Sequence, residues 1–280
     1  MSVTAYEKAL LGRDIRKSFR RDTGEIVHAL DGVSLEVEHG TLTALVGPDG
    51  AGKTTLIRLA AGLMTADGGE LKILGVDVAA DPQQVQDRIG YMPQKFGLYE
   101  DLSVQENLDF YADLHGVTAE ERRERYPRLM EMTALGPFTQ RLAGRLSGGM
   151  KQKLGLACTL VRAPELLLLD EPAAGMNPQE TITLMQLIKK IKEQFDLTIL
   201  LIEHDMKVVM GICERILVLD HGETIAEGPP SSIKEDPKVL AAYLGEETPE
   251  AAMADLRAVH AAADKSASEA SPPPRAPERP

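Results

Sequence analysis

The sequence predicts an α/β fold with a mainly parallel β-sheet at its centre, and three stretches carry this prediction. The runs "ELLLLD" (165–170) and "LTILLIEHD" (197–205) are too continuously apolar for half-exposed strands, so they suit strands covered on both faces. The run "TLTALVG" (41–47) is a third candidate strand, which ends at a glycine. A helix between the first two would make a right-handed crossover unit. Its apolar face is formed by Leu184, Leu187, Ile188 and Ile191.

Further helices are predicted after the third strand and in the middle of the chain. The region from about 95 to 161 reads as mostly helical, and Ser103 with Glu106 forms a capping box at the start of one helix. The segment "TTLIRLAAGL" follows the glycine-ended strand and has helical spacing. Its apolar residues Leu56, Leu59, Ala60 and Leu63 would lie on one face of the helix.

The C-terminal part of the chain divides into a hairpin and a tail. "RILVLDHGETIAEG" places a turn signal, Asp220–Gly222, between two β-like runs. Residues 249–280 form an Ala, Pro and Ser-rich tail whose last 20 residues contain no large apolar side chain. Such a segment cannot offset the entropy of ordering, so we expect disorder there, with a fraying helix before it.

Composition limits the classes of function. The 280 residues suit one large domain or two small ones, and the formal net charge of −12 argues against nucleic-acid binding. It does not exclude a local basic pocket for a nucleotide, and acidity is also a common means of solubility. The N-terminal residues lack the continuous apolar stretch of a signal peptide, and the sequence has no apolar run long enough to span a bilayer, so we expect neither feature. A membrane function would therefore need a spanning partner chain.

The two cysteines, Cys158 and Cys213, lie in apolar contexts. No C-x-x-C pair or Cys/His cluster accompanies them, so a zinc site is not expected. We interpret them as buried free thiols of a protein in a reducing cytoplasm.

The segment "GPDGAGKTT" (47–55) matches G-x-x-x-x-G-K-[ST] between a predicted strand and a predicted helix. Glycines let successive backbone N–H groups converge on a phosphate, and the helix start adds partial positive charge. Lys53 would reach the β and γ phosphates, and Thr54 would ligate Mg²⁺. The alternative is a glycine-rich turn with a chance lysine, which the flanking elements disfavour. The predicted nucleotide-binding residues are Gly47, Pro48, Asp49, Gly50, Ala51, Gly52, Lys53, Thr54 and Thr55.

Two carboxylates close the apolar run at 165–170. Parallel strands present their carboxyl ends at the ligand crevice, so Asp170 would face the same phosphates and hold Mg²⁺. Glu171 is placed to accept a proton from the attacking water as a general base. An Asp-Glu pair after a strand is more often simply solvated, and the nearby phosphate loop is what favours the catalytic interpretation.

The stretch "LSGGMKQKLGLA" (146–157) makes the assignment specific. Ser147 is a natural N-cap, and Gly148 and Gly149 allow a phosphate to approach a helix start. With the phosphate loop before it and Asp-Glu after it, this stretch resembles the signature of ABC transporter nucleotide-binding domains, over about residues 8–248. The resemblance implies a P-loop NTPase fold with a RecA-like parallel sheet core, an antiparallel β subdomain and an inserted α-helical subdomain.

The resemblance also assigns roles to single residues. Gln94 in "YMPQKFGLYE" matches the glutamine that senses Mg²⁺ and water and borders the membrane subunit. His204 in "LLIEHDM" matches the switch histidine at the γ-phosphate, and Phe19 matches an aromatic that stacks on adenine. The implied cofactors are ATP and Mg²⁺, with Thr54, Gln94 and Asp170 as metal ligands.

The partners are likewise implied by the resemblance. Two ABC domains enclose two ATP molecules, so that Ser147 and Gly149 of one chain complete the site containing Lys53 and Glu171 of the other. One set of motifs per chain implies a homodimer or a pairing with a related subunit. Such a dimer would work in the cytoplasm, peripherally on the inner face of the cell membrane, and would drive integral-membrane permease subunits.

The kind of transporter is left open between two resemblances. The chain up to about Leu169 resembles ATPases of ABC-2 type exporters of drugs and hydrophobic compounds. From about Ala173 to Glu247 it resembles ATPases of branched-chain amino-acid importers. We expect an exporter-type partner because the exporter-like part includes the predicted permease groove. A soluble ABC ATPase and a nucleotide-binding regulator without hydrolysis are further alternatives.

Asn177 departs from the usual pattern of the family, which has Asp at this position of the D-loop. The "AAGMNP" form matches the importer-type ATPases. An amide both donates and accepts hydrogen bonds, whereas a carboxylate only accepts. We therefore expect hydrolysis to survive, with altered coupling between the two sites of a dimer.

Overall fold

The computed structural model describes residues 8–244, which form two β-sheets and the helices packed on them. The larger sheet has the strand order β10-β9-β3-β8-β7-β6, in which only the β9–β10 pair is antiparallel. Its strands are β3 (Leu42–Val46), β6 (Ile89–Met92), β7 (Leu166–Asp170), β8 (Thr198–Ile202), β9 (Arg215–Asp220) and β10 (Glu223–Gly228).

The second sheet is antiparallel throughout, with the order β2-β1-β4-β5. It agrees with the antiparallel part that the family resemblance implies. Its strands are β1 (Leu10–Arg20), β2 (Ile26–Val37), β4 (Gly68–Ile73) and β5 (Val76–Asp77).

The helices follow the α/β pattern that the sequence predicts. The segment between β6 and β7 contains the helices α3, α4 and α5, as expected for the region 95–161, and Ser103 caps α3 in a complete capping box with Glu106. The helices are α1 (Lys53–Ala60), α2 (Pro82–Gln86), α3 (Val104–Leu114), α4 (Ala119–Thr133), α5 (Gly148–Leu160), α6 (Pro178–Phe195), α7 (Met206–Ile212), α8 (Pro230–Ile233) and α9 (Pro237–Leu244).

The parallel sheet is covered on both faces, which explains its continuously apolar strands. Every residue of β3, β7 and β8 is buried. Along β3, Leu42, Ala44 and Val46 pack into the core cluster that includes helices α3 to α6, whereas Leu45 points into the cluster shared with the antiparallel sheet and α1. The β7–α6–β8 unit connects adjacent parallel strands, as the sequence predicts.

The prediction for the helix after β3 is wrong at one residue, Leu63. Leu63 lies beyond the end of α1 and is 55% exposed. The helix ends because Gly62 adopts a positive φ of 66°, and the Leu63 amide bonds back to the Arg58 carbonyl at 3.0 Å. This is the Schellman ending that glycine favours. The other members of the predicted face, Leu56, Leu59 and Ala60, are buried.

The structure also tests the predictions for the C-terminal end and the cysteines. The hairpin is confirmed, since β9 and β10 pair antiparallel on either side of His221 and Gly222. Cys158 and Cys213 are buried free thiols, as predicted. Within residues 8–244, none of the helices is both long enough and apolar enough to cross a bilayer. The predicted tail, 249–280, lies outside the described residues.

Gly47 at the end of β3 occupies a position that only glycine fits. Its φ is +146°, and a Cβ there would lie 2.0 Å from the carbonyl oxygen of Leu219 on the neighbouring strand β9. The phosphate loop therefore leaves the sheet in direct contact with the backbone of β9. Strand packing and loop geometry depend on each other at this residue.

We expect Gly47→Ala to lower the free energy of unfolding by about 2–4 kcal/mol, through backbone strain and the clash with Leu219 together. Gly24→Ala is the matched control, because Gly24 also has a positive φ (85°) but no atom within 4 Å of an added Cβ. Strain alone should cost the control about 1–2 kcal/mol. Urea unfolding of both variants measures the difference. Equal losses would show that the close approach to β9 does not matter.

Candidate active site

The phosphate loop joins β3 to α1 and wraps around the amine of Lys53. This side chain is 6% exposed, and its Nζ donates to the carbonyl oxygens of Gly47 and Pro48, each at 2.8 Å. Burial lowers the pKa of Lys53, and the carboxylates of Asp49, Glu171 and Asp170 act in the opposite direction. The loop thus places the ammonium group of Lys53 at the start of helix α1. Both the ammonium group and the helix start favour a bound anion such as phosphate.

The glycines of the loop create room for a ligand on one side and close packing on the other. An added Cβ on Gly52 (φ +101°) would lie 2.3 Å from the carbonyl oxygen of Ala29, so this glycine packs against β2. At Gly50 (φ +80°) an added Cβ would meet no atom within 4 Å, and Asp49 and Gly50 are exposed. This open, amide-rich face fits the phosphates predicted from the motif.

Thr54 and Asp170 meet beside the loop. The Thr54 hydroxyl donates to Asp170 Oδ1 at 3.3 Å, although the two residues lie far apart in sequence. Asp170 is 2% exposed, and burial raises the pKa of its carboxyl group. A hydroxyl and a carboxylate are oxygen ligands of the kind that Mg²⁺ prefers, so the pair fits the predicted metal. Over residues 8–244 there is no cluster of three or more His, Cys, Asp and Glu side chains that could hold a metal without further ligands.

Glu171 connects three loops through its carboxylate. Its Oε2 accepts from Gln94 Nε2 at 2.6 Å, and its Oε1 lies 2.5 Å from His204 Nε2. Gln94 follows β6, Glu171 follows β7 and His204 follows β8, and these three strands are adjacent and parallel. The three residues that the sequence predicts to be catalytic partners are therefore in direct contact.

The backbone at Glu171 is held in an unusual conformation. Its φ is +51°, in the left-handed region that non-glycine residues rarely adopt. The Glu171 amide donates to the Ile202 carbonyl at 3.1 Å, continuing the β7–β8 ladder by one bond. Strained residues of this kind persist where the surroundings fix them, and they concentrate at functional sites.

Other predicted site residues lie on different elements of the chain. Ser147 caps α5 by accepting from the Met150 amide at 3.3 Å, with Gly148 and Gly149 as the first residues of that helix. Gly149 packs near Glu180 at the start of α6 rather than at the phosphate loop. Phe19 is 42% exposed on β1 of the antiparallel sheet, where Lys17 Nζ lies 5.7 Å from its ring centre. The nucleotide contacts expected of these residues stay predictions.

Asn177 has a structural task that its sequence context did not reveal. It is the N-cap of α6: its Oδ1 accepts from the Glu180 amide at 3.0 Å, and Glu180 Oε2 accepts from the Asn177 amide at 3.2 Å. Asn and Asp are about equally good in this role. The amide therefore also serves to start a helix.

Sequence reasoning missed Glu203, which precedes the predicted switch histidine. It is 5% exposed, and its Oε1 accepts from the Ala173 amide at 3.1 Å. A carboxylate directly after five buried residues of β8 was the available signal, because charged groups at such positions are rare unless they are hydrogen-bonded.

Comparison with known proteins gives the same assignment as the site. The family described as "ABC transporter" matches residues 30–174, and "Branched-chain amino acid ATP-binding cassette transporter" matches residues 223–249. The ATP-binding cassette MJ1267 in its ADP conformation superposes with a TM-score of 0.75 at 28% identity, covering 86% of this chain and 100% of that one. The dimeric, post-hydrolysis structure of the cassette MJ0796 with ADP and Pi gives a TM-score of 0.70 at 27% identity, covering 79% and 98%.

The similar curated proteins include both exporter-like and importer ATPases. The probable multidrug ABC transporter ATP-binding protein YbhF of Escherichia coli is 47% identical over 199 residues, which cover 71% of this chain and 34% of YbhF. The branched-chain amino-acid transport ATP-binding protein BraF of Pseudomonas aeruginosa is 37% identical over 235 residues, covering 78% and 92%. The matched part thus spans about a third of YbhF and most of BraF. Both family resemblances seen in the sequence are confirmed.

Since the first family match alone covers just over half of the 280 residues and the fold is that of solved ATP-binding cassettes, the chain belongs to the ATP-binding domain family of ABC transporters, whose members are ATPases coupled to transport.

Proposed function

We propose that this chain binds Mg²⁺ and ATP, hydrolyses the ATP within a dimer, and thereby drives separate membrane subunits of a transporter. The observation that carries the proposal is the contact of Glu171 with both Gln94 and His204, at the same sheet edge as Lys53 and the Thr54–Asp170 pair. A base, its two orienting groups, a cation and oxygen ligands for a metal are what phosphoryl transfer to water requires.

Each residue has a chemical task in this reaction. Glu171 accepts a proton from the attacking water. Each of its oxygens holds one partner here, so both retain acceptor capacity. Gln94 and His204 orient the carboxylate and the water. With ATP bound, the single Nε2 proton of His204 would go to the γ-phosphate in place of Glu171 Oε1. Lys53 balances negative charge on the β and γ phosphates. Thr54 and Asp170, with Gln94 as a further ligand, would hold Mg²⁺, which would supply charge neutralisation at the phosphate oxygens.

The second half of the nucleotide site comes from another subunit in this proposal. Ser147 caps α5, and Ser147 and Gly148 are exposed, with no atom within 4 Å of a Cβ added at Gly148, so this helix start is open to a nucleotide bound by a partner. A dimer in the MJ0796 structure supports this arrangement. Phe19, exposed at the end of β1, would stack on the adenine.

We expect Glu171→Gln to keep ATP binding and to lower the hydrolysis rate by about 10²–10⁴-fold, because an amide cannot accept the proton. The variant should accumulate as a dimer when ATP and Mg²⁺ are present. Phosphate release measures the first effect, and light scattering coupled to size exclusion measures the second. Turnover equal to that of the unsubstituted protein would show that Glu171 is not the base.

We expect Asn177→Asp to keep hydrolysis within about tenfold, equivalent to ~1.4 kcal/mol in the barrier, because Asp replaces Asn as a helix cap. Asn177→Ala is the control, since it removes the cap from α6 and should lower the free energy of unfolding by about 1 kcal/mol. Phosphate release and urea unfolding distinguish the two changes. Complete loss of turnover in the Asp variant would contradict the prediction.

The proposed permease-binding surface lies between the segment after β6 and the start of α5. A groove of about 450 Å³ opens there, and Tyr99 follows the lining residue Leu98 in the chain. Tyr99 and Phe110 are both exposed and pack edge to face with ring centres 4.5 Å apart. Exposed apolar side chains beside a groove are typical of an interaction site. The groove is lined by Gln94, Lys95, Phe96, Leu98, Lys151 and Gln152, among others.

We propose an exporter-type partner, of the kind that carries drugs or hydrophobic compounds. Its support is that most of the groove's lining comes from the exporter-like part of the sequence, with only Ala174 and Gly175 from the importer-like part, together with the 47% identity to YbhF. A branched-chain amino-acid importer is the second candidate, favoured by the match at residues 223–249 and by the long match to BraF. Either partner would hold the chain at the inner face of the cell membrane.

Reconstitution with membrane subunits of each type tests the choice. We expect exporter-type subunits to stimulate hydrolysis several-fold, and Tyr99→Asp to remove the stimulation while basal turnover stays unchanged. Ile26→Asp is the matched control, because Ile26 is also an exposed apolar residue (55%) but lies on β2 of the antiparallel sheet. Stimulation by importer-type subunits alone would overturn the proposed partner.

A further inference from the structure

We propose that Glu203 is a positioning residue that ties the loop carrying Glu171 to the loop carrying His204. The inference rests on the proposed function, because it assumes that Glu171 and His204 act together on ATP. It goes beyond that function by giving a task to a buried carboxylate whose two hydrogen bonds go to backbone amides rather than to the phosphate loop or the predicted metal ligands.

The geometry of Glu203 joins two separate loops through one side chain. Its Oε1 accepts from the backbone amide of Ala173 at 3.1 Å, and its Oε2 accepts from the backbone amide of His204 at 3.4 Å. Ala173 lies two residues after Glu171. One carboxylate therefore holds the backbone on both sides of the contact between Glu171 and His204.

The bond to Ala173 acts at the first free amide after the catalytic base. Pro172 has no N–H, so the Ala173 amide is the first donor in the loop after Glu171. The loop then closes two turns, in which Ala174 N donates to Glu171 O at 3.0 Å and Met176 N donates to Ala173 O at 3.1 Å. Fixing Ala173 therefore fixes the turn that begins at Glu171.

The left-handed backbone of Glu171 needs such an anchor. A φ of +51° is unfavourable for a residue with a side chain and persists only when neighbouring bonds hold it. One of these bonds is the ladder bond from Glu171 N to Ile202 O, and Glu203 supplies the next one along the same strand pair. Hydrogen bonds to Ile202 of β8 and to Glu203 directly after it therefore hold Glu171 in this backbone conformation.

The position of Glu203 is costly to occupy with an acid. It is 5% exposed, and burial raises its pKa. An apolar side chain would avoid this desolvation. A buried carboxylate whose two oxygens both accept from backbone amides beside catalytic residues is better explained by positioning than by stability.

The test compares Glu203→Gln with Glu214→Gln. Glu214 is a matched control because its Oε2 accepts from the Leu42 amide at 3.0 Å, at the opposite end of the sheet. The substituted amide has a single acceptor oxygen for the two backbone donors, so we expect kcat to fall about 10-fold or more with KM for ATP within twofold. Hydrogen–deuterium exchange of the peptide 171–177 should become faster. The Glu214 variant should leave kcat and that exchange unchanged.

A second variant separates positioning from stability. Glu203→Met removes both acceptors and the buried charge, so we expect an unchanged or higher melting temperature together with the loss of kcat. Wild-type kcat and wild-type exchange in both Glu203 variants would overturn the inference, as would a fall in kcat that only follows a fall in melting temperature. If the unsubstituted protein released no phosphate, the proposed function would fail, whereas the exchange experiment would still test the tie between Glu203 and Ala173.

Discussion

The contact of the Glu171 carboxylate with Gln94 and His204 is the interaction on which the rest of the site depends. It exists because β6, β7 and β8 are adjacent, parallel and in a fixed register, so that the residues following each strand meet at one edge. The phosphate loop follows β3. Strand β3 pairs with β8 on the side of β8 that faces away from β7. A slip in any of these strand pairs would separate Glu171 from Gln94, from His204 or from the phosphate loop.

Several unfavourable features of the protein lie together at the same edge. Lys53 and Asp170 are nearly fully buried, Glu171 has a left-handed backbone, and Gly47 touches the backbone of β9. Each costs free energy, and the sheet supplies the compensation, since β3, β7 and β8 are buried on both faces. Strain and desolvation are tolerated at this edge only because the core beneath it is closely packed.

The sequence predicts most of the sheet and of the site because both depend on local patterns. Buried strands show as continuous apolar runs, and the phosphate loop needs glycine at positions where other residues would clash. The prediction for the end of α1 is wrong at Leu63, because the positive φ of Gly62 ends the helix before it. The spacing of apolar residues does not show where a glycine adopts such a conformation. Glu203 was missed because its partners, Ala173 and the neighbouring amide, are brought to it only by the tertiary fold.

The contacts at the site also bear on the two resemblances within the chain. Gln94 belongs to the exporter-like part, while His204 and Glu203 belong to the importer-like part. Glu171, between the two parts, bonds Gln94 on one side and His204 on the other. The two parts therefore share one network of hydrogen bonds and cannot vary independently. Gln94 also lines the groove between the segment after β6 and α5, so a membrane partner bound there, as we propose, would act directly on this network.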